Sequence, residues 1–70
     1  MKCNLLIGFY EIETGETVDI CENISAVVRK TGKSMDQYSS VKRAVNKAIR
    51  AKTIYIYNGI KCIVLLVKEK

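Results

Sequence analysis

The chain has 70 residues without proline or histidine, and its net charge of +5 comes from 12 basic and 7 acidic residues. This length permits one small domain, residues 1–70, and a hydrophobic fraction of 49% excludes an intrinsically disordered chain. Because so short a chain has few ways to enlarge its core, we expect it to form a homodimer.

The first third of the chain predicts a β-hairpin. Asn4 to Ile12 is rich in Leu, Ile, Phe and Tyr, and Thr17 to Cys21 alternates polar with apolar residues. Thr14-Gly15 is a turn signal between these two strands. Gly8, in the middle of the first strand, indicates either a bulge or a close packing contact.

A first, short helix is predicted from Ile24 to Thr31. Asn23 or Ser25 can cap it by accepting a hydrogen bond from a free backbone amide, and Gly32 ends it. Its β-branched residues make the helix intrinsically weak, so packing must hold it in place. The residues expected on its inner face are Ile24, Val27, Val28 and Thr31.

A second, longer helix is predicted from Met35 to about Ala51, with Ser34 as its cap. Apolar residues recur along it at steps of three and four and predict a stripe toward the core: Met35, Tyr38, Val41, Val45, Ala48 and Ile49. The remaining surface is polar: Asp36, Ser39, Lys42, Arg43, Asn46, Lys47 and Arg50. A helix, a glycine turn and a second helix in this order are typical of a helix-turn-helix.

The end of the chain predicts a second hairpin. Asn58-Gly59 is a strong signal for a tight turn, and it separates a strand from Thr53 to Tyr57 from a strand from Ile60 to Val67. Tyr55 and Tyr57 either belong to the sheet that covers the helices, which we favour, or form a wing whose tip reaches a nucleic-acid groove.

The last strand contains an apolar run from Ile63 to Val67 that does not alternate. Both faces of this run are therefore expected to be covered, either in a central strand or at a subunit interface. Cys62 to Val67 is the longest apolar run, and it is too short to span a bilayer, so no membrane association is expected. The whole pattern predicts an α+β fold in which two hairpins form one antiparallel sheet packed on the helix-turn-helix pair.

The sequence offers little for catalysis or metal binding. Without histidine it lacks the usual general base near neutral pH. Cys3, Cys21 and Cys62 are far apart and form no CxxC pair, which favours buried free thiols in a reducing cytoplasm over a zinc site. Gly32-Lys33-Ser34 resembles the end of a phosphate loop, but Val27 stands where that loop needs its first glycine. We therefore predict a cytoplasmic protein that is not an enzyme and uses neither a cofactor nor a metal.

Positive charge is concentrated on the second predicted helix. Ser34 to Lys52 holds five basic residues against Asp36 alone, which gives this segment a net charge of +4. Such a concentration is typical of a surface that contacts phosphates, although a solvated helix face produces the same pattern. The distribution of charge therefore favours nucleic acid as the partner.

The geometry of a helix-turn-helix assigns roles to these residues, because the start of the second helix meets base edges and the flanks meet phosphates. Gln can pair with adenine and Arg with guanine. The candidates for base contacts are Ser34, Asp36, Gln37, Ser40 and Arg43. The candidates for phosphate contacts are Lys30, Lys33, Lys42, Lys47 and Arg50.

About half of the chain is covered by four short sequence motifs whose order is typical of a known class of module. They are Glu13-Thr14-Gly15-Glu16, Asn23-Ile24, Thr31-Gly32-Lys33-Ser34 and Val41 to Asn46. In this order they resemble the small helix-turn-helix modules of intron-encoded endonucleases and phage DNA-binding proteins. The resemblance implies a strand after the first turn, a helix that ends at a glycine, and a second helix that reads DNA. The chain differs from those modules in its long second helix and its closing hairpin.

Charge, helix order and resemblance together predict a sequence-preferring DNA-binding protein, a small regulator or accessory protein of a phage or mobile element. Its expected partner is double-stranded DNA. The alternative is a small non-enzymatic phage-type antagonist that binds a host protein or an anionic nucleotide ligand. Salt-dependent binding to duplex DNA separates the two, because contacts with phosphates weaken as salt rises.

Overall fold

The computed structural model describes residues 5–68. Its elements follow the chain in the order β1 (Leu5–Glu11), β2 (Thr17–Cys21), α1 (Ile24–Lys30), a 3-10 turn (Met35–Gln37), α2 (Tyr38–Ala51), β3 (Tyr55–Tyr57) and β4 (Ile60–Lys68). The predicted succession of hairpin, two helices and hairpin is confirmed.

The four strands form one antiparallel sheet in the order β2-β1-β4-β3. Each hairpin supplies two neighbouring strands, and the long pairing of β1 with β4 joins the hairpins at the centre. In this central pair Leu6 lies opposite Val67 and Tyr10 lies opposite Ile63. The predicted α+β fold, with one sheet packed on a helix pair, is confirmed.

The core lies between the helices and one face of the sheet. Residues directly opposite each other in antiparallel strands share a face, and Phe9 shares this one with Val64 of β4. Phe9 is fully buried, and its ring lies 5.6 Å from that of Tyr55 and 4.4 Å from that of Tyr57, measured between centroids. Both tyrosines are buried. The favoured interpretation, in which the two tyrosines belong to the sheet that covers the helices, is therefore confirmed.

The other face of the sheet carries the alternate residues of every strand and is covered by neither helix. We call it the open sheet face. Its apolar residues are Leu6, Tyr10, Ile20, Ile56, Ile63, Leu65 and Val67, each exposed or half-buried. The non-alternating run in β4 therefore has one face in the core and one face that neither helix covers.

α1 is held almost entirely by packing. The Asn23 side chain caps it by accepting a hydrogen bond from the Ala26 amide at 2.9 Å. Ala26, Val27 and Val28 are consecutive and all buried, so most of the helix circumference is in contact with the rest of the domain. This explains how seven residues of weak helix propensity remain helical.

α2 begins later than predicted. Met35 to Gln37 form a turn of 3-10 helix, and the α-helix starts only at Tyr38. A 3-10 turn has about three residues per turn, whereas an α-helix has about 3.6. The side chain of Met35 is therefore not aligned with the apolar residues of α2. Its side chain is 56% exposed, so its predicted place in the core was wrong. The rest of the stripe is confirmed, with Val41, Val45 and Ala48 buried.

Two of the three cysteines lie within residues 5–68. Cys21 and Cys62 are buried free thiols, as expected. Cys3 lies outside the described residues. The thiols of Cys21 and Cys62 therefore act as small apolar groups of the core.

The β3–β4 turn has the geometry that its sequence predicts. Asn58 and Gly59 both have positive φ, at 49° and 84°. Asn58 Nδ2 also donates a hydrogen bond to the Lys30 carbonyl at 3.3 Å, which ties the turn to the end of α1.

Replacing Gly59 with valine is expected to reduce the free energy of unfolding by about 1 kcal/mol or more, because a β-branched residue resists positive φ. A Cβ at this position meets no atom within 4 Å, so the loss would come from backbone strain alone. Urea denaturation measures the difference. The matched control is Gly59→Asn, which tolerates positive φ and should lose less; equal losses for the two variants would contradict the strain.

Candidate nucleic-acid interface

The outer face of α2 carries a row of three cations. Val41, Val45 and Ala48 turn the inner face of α2 to the core. Helical spacing of four and then three residues places Arg43, Lys47 and Arg50 together on the opposite, exposed side. We call these three residues the basic ridge. At a rise of about 1.5 Å per residue, the ridge is about 10 Å long.

Polar side chains border the ridge along the start of α2. Ser39, Lys42 and Asn46 are all exposed and lie one helical turn or less from Arg43. Together with Arg43 they line a shallow depression of about 320 Å³. Lys42 is therefore a neighbour of the ridge, and hydroxyl and amide groups lie beside the cations.

The charges of the ridge are not neutralised by carboxylates of the described chain. Between residues 5 and 68 the one ion pair joins Lys30 Nζ to Asp19 Oδ1 at 3.2 Å. Asp36, the one acidic residue of the helical segment from Ser34 to Lys52, lies in the 3-10 turn that precedes α2. The ridge therefore presents three positive charges to solvent without a compensating group in this part of the protein.

A second group of predicted site residues lies before and at the start of α2. Lys33, Gln37 and Ser40 line a cleft of about 300 Å³ whose floor is apolar and includes Tyr55 and Ile56. These three side chains are brought together by the fold beside the amino-terminal end of the ridge, where Ser40 lies three residues before Arg43 on α2.

Ser34 and Gln37 cap the 3-10 turn that precedes α2. The Ser34 amide donates a hydrogen bond to Gln37 Oε1 at 3.4 Å, as in a capping box. A bidentate contact with adenine uses both the oxygen and the nitrogen of a Gln amide. Gln37 would have to release its cap to read a base, whereas Ser40 and Arg43 are exposed on the helix itself.

Lys30 lies apart from the other candidates. Its ammonium group bonds to Asp19 and, at 3.4 Å, to the carbonyl of Ile20. Tyr57 Oη donates a hydrogen bond to the second oxygen of Asp19, and it also lies 3.8 Å from Cys21 Sγ. Because these groups connect α1 to both edge strands of the sheet, Lys30 serves this network and not the ridge.

The network stabilises the ionised form of one carboxylate. The hydrogen bond from Tyr57 lowers the pKa of Asp19 below its ordinary value. Burial opposes it with a smaller effect, and the Ile20 amide and Lys30 add to the lowering of this pKa. Burial raises the pKa of the Cys21 thiol, so this cysteine is a poor nucleophile. Burial also raises the pKa of Tyr57. The hydrogen-bond network of Asp19, Lys30 and Tyr57 therefore stabilises the packing of α1 on the sheet, and none of its groups is activated for catalysis.

Sequence reasoning did not find this network. The one available signal was the alternation in β2, which places Asp19 on the same face as Cys21 and therefore toward the core. Tyr57 comes 38 residues later in the chain, and its proximity to Asp19 follows only from the pairing of β1 with β4.

Asp19 is expected to make stability depend on pH. A carboxylate whose pKa is lowered in the folded state contributes stability above its unfolded pKa of about 3.9, and this contribution is lost as pH falls through the folded pKa. The difference in melting temperature between the wild type and Asp19→Asn should therefore be largest near neutral pH and shrink below about pH 4. Thermal melts across this range measure it, with Glu13→Gln, an exposed turn residue, as the control. A difference that stays constant with pH would contradict the role of Asp19.

Neither a metal centre nor a membrane-spanning helix is found in residues 5–68. No three His, Cys, Asp or Glu side chains of this part lie close enough to hold a metal ion. None of its helices is both long and apolar enough to cross a bilayer.

The basic ridge is the best candidate for a functional site in the described residues. Its geometry is the only basis for assigning it a function. Comparisons with protein-family models, with curated proteins and with solved structures found no match to this chain. The resemblance to helix-turn-helix modules therefore remains a prediction.

Proposed function

We propose that the protein binds double-stranded DNA through the basic ridge and acts as a small regulator or accessory protein of a phage or mobile element. One observation carries the proposal: the ridge places three exposed cations in a row without a carboxylate partner among residues 5–68. Phosphates are the chemical groups that such a surface attracts most strongly, and they dominate the affinity of proteins for DNA.

The shape of the surface supports duplex DNA. α2 has 14 residues, and the residues of its outer face are exposed in the described part of the chain. The major groove of B-DNA is about 12 Å wide and admits an α-helix. Arg43, Lys47 and Arg50 can then meet phosphates along the groove, while Ser39 and Asn46 lie beside them as hydrogen-bonding groups.

Preference for a sequence needs contacts with base edges in addition to phosphates. Arg43 and Ser40 are the best-placed residues for such contacts, because both are exposed on α2 and neither is engaged in a cap. Arg43 lies one turn after Ser39, toward the middle of the helix. A guanine contact by Arg43 would give a preference of about 1–3 kcal/mol for one base pair.

A fluorescence titration tests the proposal. The protein is titrated into labelled duplex DNA, single-stranded DNA and duplex RNA at two salt concentrations. We expect duplex DNA to bind most tightly, with a plot of log K against log salt whose slope is about −3 if Arg43, Lys47 and Arg50 each meet one phosphate, and about −2 if Arg43 contacts a guanine instead. Absence of duplex binding, or binding that does not depend on salt, would contradict the proposal. The alternative function, an antagonist that binds a host protein, would then be favoured.

A further inference from the structure

The open sheet face is a continuous apolar surface. β1 and β4 form its centre, where Tyr10 lies opposite Ile63 and Leu6 lies opposite Val67. Leu65 of β4 is 48% exposed on this face. Monomeric soluble proteins rarely expose contiguous apolar patches of more than a few hundred Å², and larger ones mark interaction sites.

The centre of the open sheet face contains a glycine. Gly8 lies opposite Leu65 and has no side chain to project from the sheet. The ring of Tyr10 occupies the vacant space, because a Cβ on Gly8 would lie 2.6 Å from Tyr10 Oη. An apolar sheet face without a large protruding group at its centre can pack against another sheet at a spacing of about 10 Å.

The charge and the area of this face fit a second copy of the chain. Among the described residues, Lys61 is the one charged residue on the face, and it lies near the rim opposite Ile56. Two copies related by a two-fold axis can keep both lysines at the rim and bury a surface that is mainly apolar, with Thr17 as an uncharged polar residue on the edge strand β2. The four strands have 24 residues in all and cover about 380 Å², so two copies would bury on the order of 800 Å², which is in the range of small, weak interfaces.

We infer that the open sheet face binds a second copy of this chain, sheet against sheet, and that the dimer bridges two DNA segments. The bridging part rests on the proposed function of the basic ridge. In such a dimer the layers run helix, sheet, sheet, helix, and the two ridges point outward on opposite sides. With layer spacings of about 10 Å, the two α2 helices lie about 30 Å apart.

The outward direction of the ridges excludes one mode of binding. Duplex DNA is stiff, with a persistence length of about 150 base pairs. A straight duplex on one ridge cannot reach the ridge on the far side of the same dimer. Each dimer would therefore hold two duplex segments, in contrast to dimers that read two half-sites of one operator.

Sedimentation equilibrium at micromolar concentrations tests the interface. We expect the wild type to have twice the chain mass of 7.9 kDa and Leu65→Glu to be a monomer. The matched control is Leu66→Glu: Leu66 is the next residue of the same strand and is 49% exposed, but it lies on the helix side of the sheet. It should remain a dimer. A monomeric wild type, or a dimeric Leu65→Glu protein, would overturn the inference.

Folding of the variants is checked by circular dichroism, and Ile63→Glu, on the same face of β4 and opposite Tyr10, serves as a second disrupting variant if Leu65→Glu does not fold. Bridging is measured by energy transfer between two duplexes that carry a donor and an acceptor. The wild type should bring them together, and the folded monomeric variant should bind duplex without energy transfer. A dimer that binds duplex without energy transfer would overturn bridging. A dimer that binds no duplex would overturn the proposed function and leave the interface standing.

Discussion

Replacing Phe9 with alanine is expected to unfold most of the protein at room temperature. Phe9 is fully buried at the centre of the sheet and stacks on Tyr57. Removing a buried phenylalanine ring typically costs about 3–5 kcal/mol, since it removes apolar contacts and leaves a cavity. In a chain of 70 residues a single hydrophobic core rarely supplies more than about 3–5 kcal/mol of stability, so the loss is about as large as the total.

Circular dichroism and urea denaturation measure this loss. Ile54→Ala is the matched control, because Ile54 is an exposed apolar residue between α2 and β3 and should change the stability little. Phe9→Leu fills part of the cavity and should fall between the two. A Phe9→Ala protein as stable as the Ile54→Ala protein would contradict the position of Phe9 at the centre of the core.

The double substitution Arg43→Glu and Lys47→Glu is expected to weaken duplex binding by roughly 100-fold or more while the fold persists. It removes two phosphate contacts and places two negative charges in their stead. Both side chains are exposed and neither forms an ion pair among the described residues, so the core should not respond. Binding is followed by fluorescence anisotropy, and folding by thermal melts.

A second double variant tests whether the loss of binding comes from the position of the reversed charges or from the change in net charge. Lys61→Glu with Lys68→Glu changes the net charge by the same amount, from +5 to +1 in both proteins (5 − 4 = 1), but it acts on β4. This protein should keep most of its affinity for duplex DNA. Equal losses for the two double variants would indicate that the ridge is only a solvated helix face.

The local patterns of the sequence were sufficient for most of the fold. The Asn58-Gly59 turn, the cap at Asn23 and the stripe from Val41 to Ala48 each depend on neighbouring residues, and each is present as predicted. Met35 failed because the 3-10 turn changes the helical phase, and the sequence gives no sign of where that turn stops.

The candidate site was predicted less completely than the fold. Helical spacing was enough to place Arg43, Lys47 and Arg50 on one exposed face. The tie of Lys30 to Asp19 and Tyr57 was not predictable, because it depends on which strands become neighbours. The use of the Gln37 oxygen in a cap also depends on the 3-10 turn.

The central claim is that duplex DNA lies on the outer face of α2, and nuclear magnetic resonance tests it most directly. A short duplex is added to protein labelled with nitrogen-15, and the amide signals that move are assigned to residues. We expect the changes to concentrate in residues 39–50 and to be small in the centres of β1 and β4. Changes confined to those strands, or no change at equimolar duplex and low salt, would contradict the claim.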